Sequence, residues 1–109
     1  MKTEVSQLNE YLVLNLIGRL DTVQAPALEK KMLEILDQGH DKIILDCKEM
    51  DYISSSGLRI FLIAQKRMMG ISGTLRICNL QSNIGEVFEI SGFSLIFSIY
   101  PDLESAIIN

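Results

Sequence analysis

Three consecutive serines, Ser54, Ser55 and Ser56, followed by Gly57, form the one constellation in this sequence whose residue types and spacing could carry chemistry. They lie between an apolar run ending at Cys47 and a run of helical period beginning near Gly57, so they occupy a strand-to-helix loop. A serine at that place is a favoured N-cap, its hydroxyl accepting from the first-turn amides. One cap uses one serine, and capping accounts for at most two of the three. A helix start also has free N–H groups and the positive end of the dipole, so it tolerates an added phosphate. Gly57 permits close approach of another chain. The loop therefore reads as a place where a serine can be phosphorylated without unfolding its own domain, with plain capping as the alternative.

Other chemistries lack their residues. His40 is the only histidine and stands beside Gly39, a predicted helix end, where it reads as a loop residue. Metal sites need several converging His, Cys or carboxylate ligands. Cys47 and Cys78 each close a predicted strand and read as small core hydrophobes. No GxxxxGK[ST], GxGxxG or GxSxG occurs, which removes the nucleotide cradles and the nucleophile elbow. No catalytic residue, cofactor or metal is expected.

The elements that must position the serine loop follow from periodicity. Residues 11–17 are apolar at nearly every position, the pattern of a central strand. Residues 3–8 pair with it as a hairpin through Asn9-Glu10, and Gly18–Thr22 makes a break in which Asp21 or Thr22 can cap a helix. Residues 23–38 place Ala25, Leu28, Met32, Ile35 and Leu36 on one face, with Pro26 in the first turn and Gly39 as a left-handed cap. Strands follow at 42–47, 74–78 and 95–99; helices at 57–69, 79–90 and from Pro101 to Ile107. In the helix over 57–69, Leu58, Phe61, Leu62 and Met68 or Met69 face inward, while Arg59, Lys66 and Arg67 face solvent. The expectation is an α/β fold: a mixed sheet of about five strands with parallel pairs and one antiparallel edge, and about four helices packed mainly on one face.

The chain has 109 residues, 48% apolar and 22% charged, which predicts one domain over residues 1–109. Ten basic against fourteen acidic residues give a net charge of −4, which argues against nucleic acid, since phosphate binding needs clustered Lys and Arg. No run of 18 apolar residues occurs, so no membrane insertion is expected. Two cysteines without a CxxC pair, and an N-terminus without a continuous apolar stretch, point to a reducing, cytoplasmic setting.

The run Tyr52-Ile53-Ser54-Ser55-Ser56-Gly57-Leu58-Arg59 resembles the signature of STAS domains, specifically the bacterial anti-sigma factor antagonists. Further matches fall in order along the chain: Gly18-Arg19-Leu20-Asp21, Ile43-Ile44-Leu45-Asp46, Gly73-Thr74-Leu75, Phe88-Glu89-Ile90-Ser91-Gly92-Phe93 and Asp102-Leu103-Glu104-Ser105-Ala106. The resemblance implies a partner switch: the free form binds an anti-sigma factor serine kinase of the GHKL ATPase type, phosphorylation abolishes binding, and a PP2C-type phosphatase restores it. The phosphoacceptor of the family's Asp-Ser-Ser/Thr-Gly motif falls on Ser55, the second hydroxyl on Ser56 and the aspartate on Ser54. This chain therefore departs from the family pattern at Ser54, which leaves Ser54 and Ser56 as alternative acceptors. Asp21 matches the aspartate of the G-x-L-D turn, with helix capping as its other role. The partner-binding patch implied is Asp21, Ser54, Ser55, Ser56, Gly57 and Arg59. Arg59 could meet an acidic partner group or the phosphate itself.

Two other classes compete. A STAS adaptor that is never phosphorylated, a subunit of a transport or lipid-trafficking complex, would use Ser55 only as a helix cap. An enzyme with a serine nucleophile would need a base, and neither a histidine nor a lysine stands inside the motif.

Overall fold

Lys2–Leu8 (β1) and Tyr11–Leu20 (β2) form an antiparallel hairpin in the computed structural model, which describes residues 1–108. Asn9 turns the hairpin with φ 54°, a conformation Asn tolerates better than other side chains. β2 continues the sheet on its other side through parallel Lys42–Asp46 (β3). Met50–Ile53 (β4) also pairs with β2, in parallel, but only along Gly18–Leu20. Thr74–Cys78 (β5) and Ser98–Tyr100 (β6) complete a six-stranded mixed sheet in the order β1-β2-β3-β5-β6, with β4 beside β2 off that path.

The apolar run in β2 follows from cover on both faces. Leu12, Leu14 and Leu16 enter the larger core cluster, and Tyr11 and Val13 the smaller one opposite. Ala25–Asp37 (α1), Ser55–Gly70 (α2) and Ser82–Ile90 (α3) supply the larger cluster. The short Leu103–Ile108 (α4) covers the other face, where Ala106 packs with Tyr11, Val13, Ile44 and Cys78. Phe61, Phe88 and Phe97 meet at centroid separations of 5.8–6.4 Å. Truncating a fully buried ring such as Phe61 to Ala costs about 3–5 kcal/mol.

The α/β class, the parallel pairs and the antiparallel edge agree with the sequence-based expectation. Five elements differ in existence or bounds. The strand count is six rather than about five, because Met50–Ile53, expected as loop, pairs with the end of β2. Gly18 does not end the second strand. It sits at φ 98° where the register shifts, and the strand runs on to Leu20 with a new partner. The last strand is Ser98–Tyr100 rather than 95–99, since Phe93–Leu95 winds into a 3₁₀ turn and leaves Leu95 pointing into solvent. The helix expected over 57–69 begins two residues earlier at Ser55 with Met68, not Met69, inside, and that expected over 79–90 begins at Ser82. No helix among the described residues is long and apolar enough to cross a membrane.

Candidate functional site

The serine loop joins the end of β4 to α2, and its three hydroxyls have different surroundings. Ser54 is the N-cap, with extended φ −90° and ψ 170°, and its Oγ accepts from the Gly57 N–H at 3.1 Å. Its own N–H donates to the Leu20 carbonyl at 2.9 Å, and the residue is 9% exposed. Ser54 is thereby committed to structure. Ser55 is the first residue of the helix and is exposed; Ser56 is half-buried.

Gly57 is buried. The close approach it permits is to its own chain: an added Cβ would lie 2.7 Å from Leu20 Cγ and 2.9 Å from Ile53 Cγ1. A partner cannot reach the Gly57 backbone through that contact, and Gly57 acts by seating the first turn of α2 on β2 and β4. The expectation of a second chain approaching at Gly57 is corrected accordingly.

The Ser54–Leu20 hydrogen bond brings the Asp21 turn against the serine loop. Asp21 is half-buried, and its Oδ1 accepts from the Gln24 N–H at 2.9 Å, closing the turn that leads into α1. Arg19 and Tyr52 face each other across the β2–β4 ladder, with the guanidinium carbon 4.1 Å from the ring centroid. This pair ties the strands that feed the two loops. Sequence reasoning missed it, because the pairing is visible only once β4 is recognised as a strand.

Electrostatically, α2 carries no acidic residue in its first turn, so nothing on the helix offsets the positive end of its dipole beside Ser55. Arg59 is exposed one turn further on. Lys66 and Arg67 do not join it at the loop. Lys66 lies eleven residues, about 16 Å, along the helix from Ser55, and Arg67 pairs with Asp37 of α1 at 3.0 Å. His40 is half-buried after α1 and outside this region. Cys47 and Cys78 are buried and unbridged. Desolvation pushes both thiols up, Cys47 well above the ordinary range and Cys78 to about 12, where Asp46 and Asp102 add to the effect.

The arrangement, then, is one committed serine, one exposed serine at an unneutralised helix start, and an acidic turn hydrogen-bonded alongside. Comparison with known proteins places it in context. The STAS domain profile matches residues 2–106. A Bordetella bronchiseptica protein, BtrV, named as an anti-sigma factor antagonist, is 36% identical over 106 residues, covering 97% of this chain and 91% of the relative. The crystal structure of the Thermotoga maritima protein TM1081 superposes with a TM-score of 0.93 at 18% identity, over 96% of this chain and 91% of that one. The Bacillus cell fate determinant SpoIIAA in its phosphorylated form superposes with a TM-score of 0.75 at 22% identity, over 97% and 96%. With its six-stranded mixed sheet, its four helices and a family match running almost end to end, the chain belongs to the STAS domain family.

Proposed function

We propose that this chain is an anti-sigma factor antagonist in a partner-switching pathway, with Ser55 as its phosphoacceptor. In the unmodified state it binds an anti-sigma factor serine kinase of the GHKL ATPase type; phosphate on Ser55 abolishes that binding, and a PP2C-type phosphatase restores it. The observation that carries this reading is the division of labour in the loop: Ser54 is buried as the cap, while Ser55 stands exposed at the helix start. That SpoIIAA, a structural neighbour, has a phosphorylated form supports the same reading.

The energetics favour a switch without refolding. A phosphate adds about −1.5 to −2 charges at pH 7. At the start of α2 the helix dipole favours such a charge by about 0.3–1 kcal/mol, so the fold tolerates it. At a packed interface the same group must shed water, and an unpaired buried charge costs several kcal/mol. A loss of about 4 kcal/mol corresponds to roughly a thousandfold in affinity, so the interface effect exceeds the local one. The partner patch consists of Ser55, Ser56, the Asp21 turn and Arg59; Ser54 and Gly57 support it from beneath.

The test pairs binding with modification, using the cognate GHKL-type serine kinase. Ser55→Ala is expected to bind the kinase as wild type does, and Ser55→Asp roughly a thousandfold more weakly. Intact mass after incubation with kinase and ATP is expected to show one phosphate on wild type and on Ser54→Ala, and none on Ser55→Ala. Equal affinities for the Ala and Asp variants would refute the switch. A phosphate that persists on Ser55→Ala would move the acceptor to Ser56. No phosphate at all would leave the adaptor reading in its place.

A further inference from the structure

The outer edge of β1 pairs with no strand among the described residues, since β1 ends the path β1-β2-β3-β5-β6. Across that path one row of facing residues runs Val5, Leu14, Leu45, Ile77, Ile99. Leu14, Leu45 and Ile77 are fully buried in the larger core cluster, whereas Val5 is 43% exposed. The core row therefore breaks off at the sheet edge with apolar surface in water. Leu8, on the other face of β1, is 40% exposed. Charge is a usual guard of an open edge. Here Lys2 and Glu4, their Nζ and Oε2 3.8 Å apart, fall on the face away from Val5, and Thr3, Val5 and Gln7 carry no charge.

The backbone of β1 offers a matching pattern. The two-residue turn Asn9-Glu10 closes on the Leu8–Tyr11 pair, which puts that pair in the hydrogen-bonded position. By alternation Lys2, Glu4 and Ser6 turn their N–H and C=O groups towards β2, and Thr3, Val5 and Gln7 turn theirs outward. These outward groups suit a second copy of the same strand. A two-fold axis normal to the sheet keeps each face with its like, and antiparallel pairing centred on Val5 matches all seven residues of β1. Val5 then opposes Val5 of the second copy, Thr3 opposes Gln7, Glu4 opposes Ser6 and Lys2 opposes Leu8. Centring on Glu4 sets two carboxylates directly opposite each other, which is unfavourable. Centring on Thr3 or Ser6 leaves two or more residues of each strand without a mate.

We propose that this edge is a homodimer interface, in which β1 pairs antiparallel with β1 of a second copy about a two-fold axis at Val5 and joins the two sheets into one. Val5 closes against its mate and carries the core row into the second copy, while the methylene stem of Lys2 covers Leu8. Gln7 of the second copy comes beside Thr3, at a groove of about 230 Å³ that Thr3 shares with Gln24, Ala27 and Lys31 of the α1 region. The serine loops stay clear of this contact. Leu14, the neighbour of Val5, precedes Leu20 by six residues along β2, about 20 Å, and antiparallel pairing sends the two loops to opposite ends of the joined sheet.

Sedimentation equilibrium of the full chain over a concentration series reads the association. The expected result is a mass approaching twice that of one chain, with amide exchange slowing at Thr3, Val5 and Gln7 as concentration rises. Because Val5 opposes itself, charge there is a specific probe. Val5→Lys and Val5→Glu should each weaken association about tenfold or more, through like charges face to face, and mixing the two variants should restore it. Far-UV circular dichroism checks that both are folded. If either is not, the double change Thr3→Lys/Gln7→Lys, which opposes lysines at two places without touching Val5, should give the same loss. A chain that stays monomeric up to about 1 mM would overturn the proposal. So would a dimer indifferent to these charges and to mixing. Protection of Thr3, Val5 and Gln7 that arises only on adding the cognate kinase would also overturn it and give the edge to a strand of that partner. Failure of the dimer leaves the Ser55 reading standing, because kinase affinity and phosphate placement decide that reading.

Discussion

Two glycines in helices, changed in the same way, should move stability in opposite directions. Gly57→Ala puts a methyl group 2.7 Å from Leu20 Cγ and 2.9 Å from both Leu20 Cδ2 and Ile53 Cγ1. Leu20 is fully buried and Ile53 is 8% exposed, so neither side chain can swing aside into solvent. Overpacking of this kind costs about 1–3 kcal/mol, offset in part by up to about 1 kcal/mol of helix propensity. The net expectation is a loss of about 1–2 kcal/mol, which lowers Tm by roughly 4–8 °C in a domain of this size. Gly85→Ala meets nothing within 4 Å in the interior of α3 and should stabilise by about 0.5–1 kcal/mol. The unfolded chain loses the same backbone freedom in both variants, so the contrast between them isolates the contact beneath α2. Urea titration followed by circular dichroism reads both. A Gly57→Ala protein at or above wild-type stability would refute the idea that Leu20 and Ile53 fix the start of α2, and with it the account of how Ser55 is held.

Ser54→Ala should cost about 1 kcal/mol in the same assay through loss of the cap, whereas Ser55→Ala should stay within about 0.5 kcal/mol of wild type; equal costs would contradict the separation of their roles. The native thiols of Cys47 and Cys78 should react with a disulfide reagent only as fast as the protein opens, and fully in denaturant, because burial holds both as neutral thiols. Since the Cys78 pKa is raised from 9.0 to about 12, the fold favours its protonated form. That contribution is intact below pH 9 and is lost as pH rises from 9 towards 12, so Cys78→Ala should flatten the alkaline fall in stability. Asp102 shows the reverse sign: hydrogen bonds from Ser105 lower its pKa, so its support of α4 is present above the ordinary carboxylate range and fades as acid titrates it through the lowered value. Asp102→Ala should speed amide exchange at Ala106 while leaving Phe61 unchanged.

Much of this architecture is legible in the sequence because long periodic segments report their own burial. The helix over 23–38 and the strands around Leu14, Ile44 and Ile77 follow directly from apolar spacing. The missed strand shows where such reading fails. Met50–Ile53 is four residues long, has both central positions exposed and pairs with one neighbour only, so no periodicity marks it. Gly18 was the available signal, since a glycine within a strand pattern also marks a bulge, but its break and its bulge look alike until a second partner is known. At Leu95 an apolar, β-prone run misleads, because the ladder of β5 reaches only Ser98–Tyr100. In the serine loop, residue types point to capping and to phosphate tolerance together. Which hydroxyl does which depends on the helix beginning at Ser55, a two-residue difference that spacing cannot resolve.

The change of partner at Gly18 bears on how such a domain can diversify. β2 leaves β3 after Asn15 and from Gly18 onward runs beside β4, so the acidic turn and the serine loop hang from a two-stranded annex set apart from the main ladder. Residues in the annex can be exchanged without shifting the register of β3, β5 or β6. One scaffold can thereby carry differently tuned loops at this end while its main ladder stays the same.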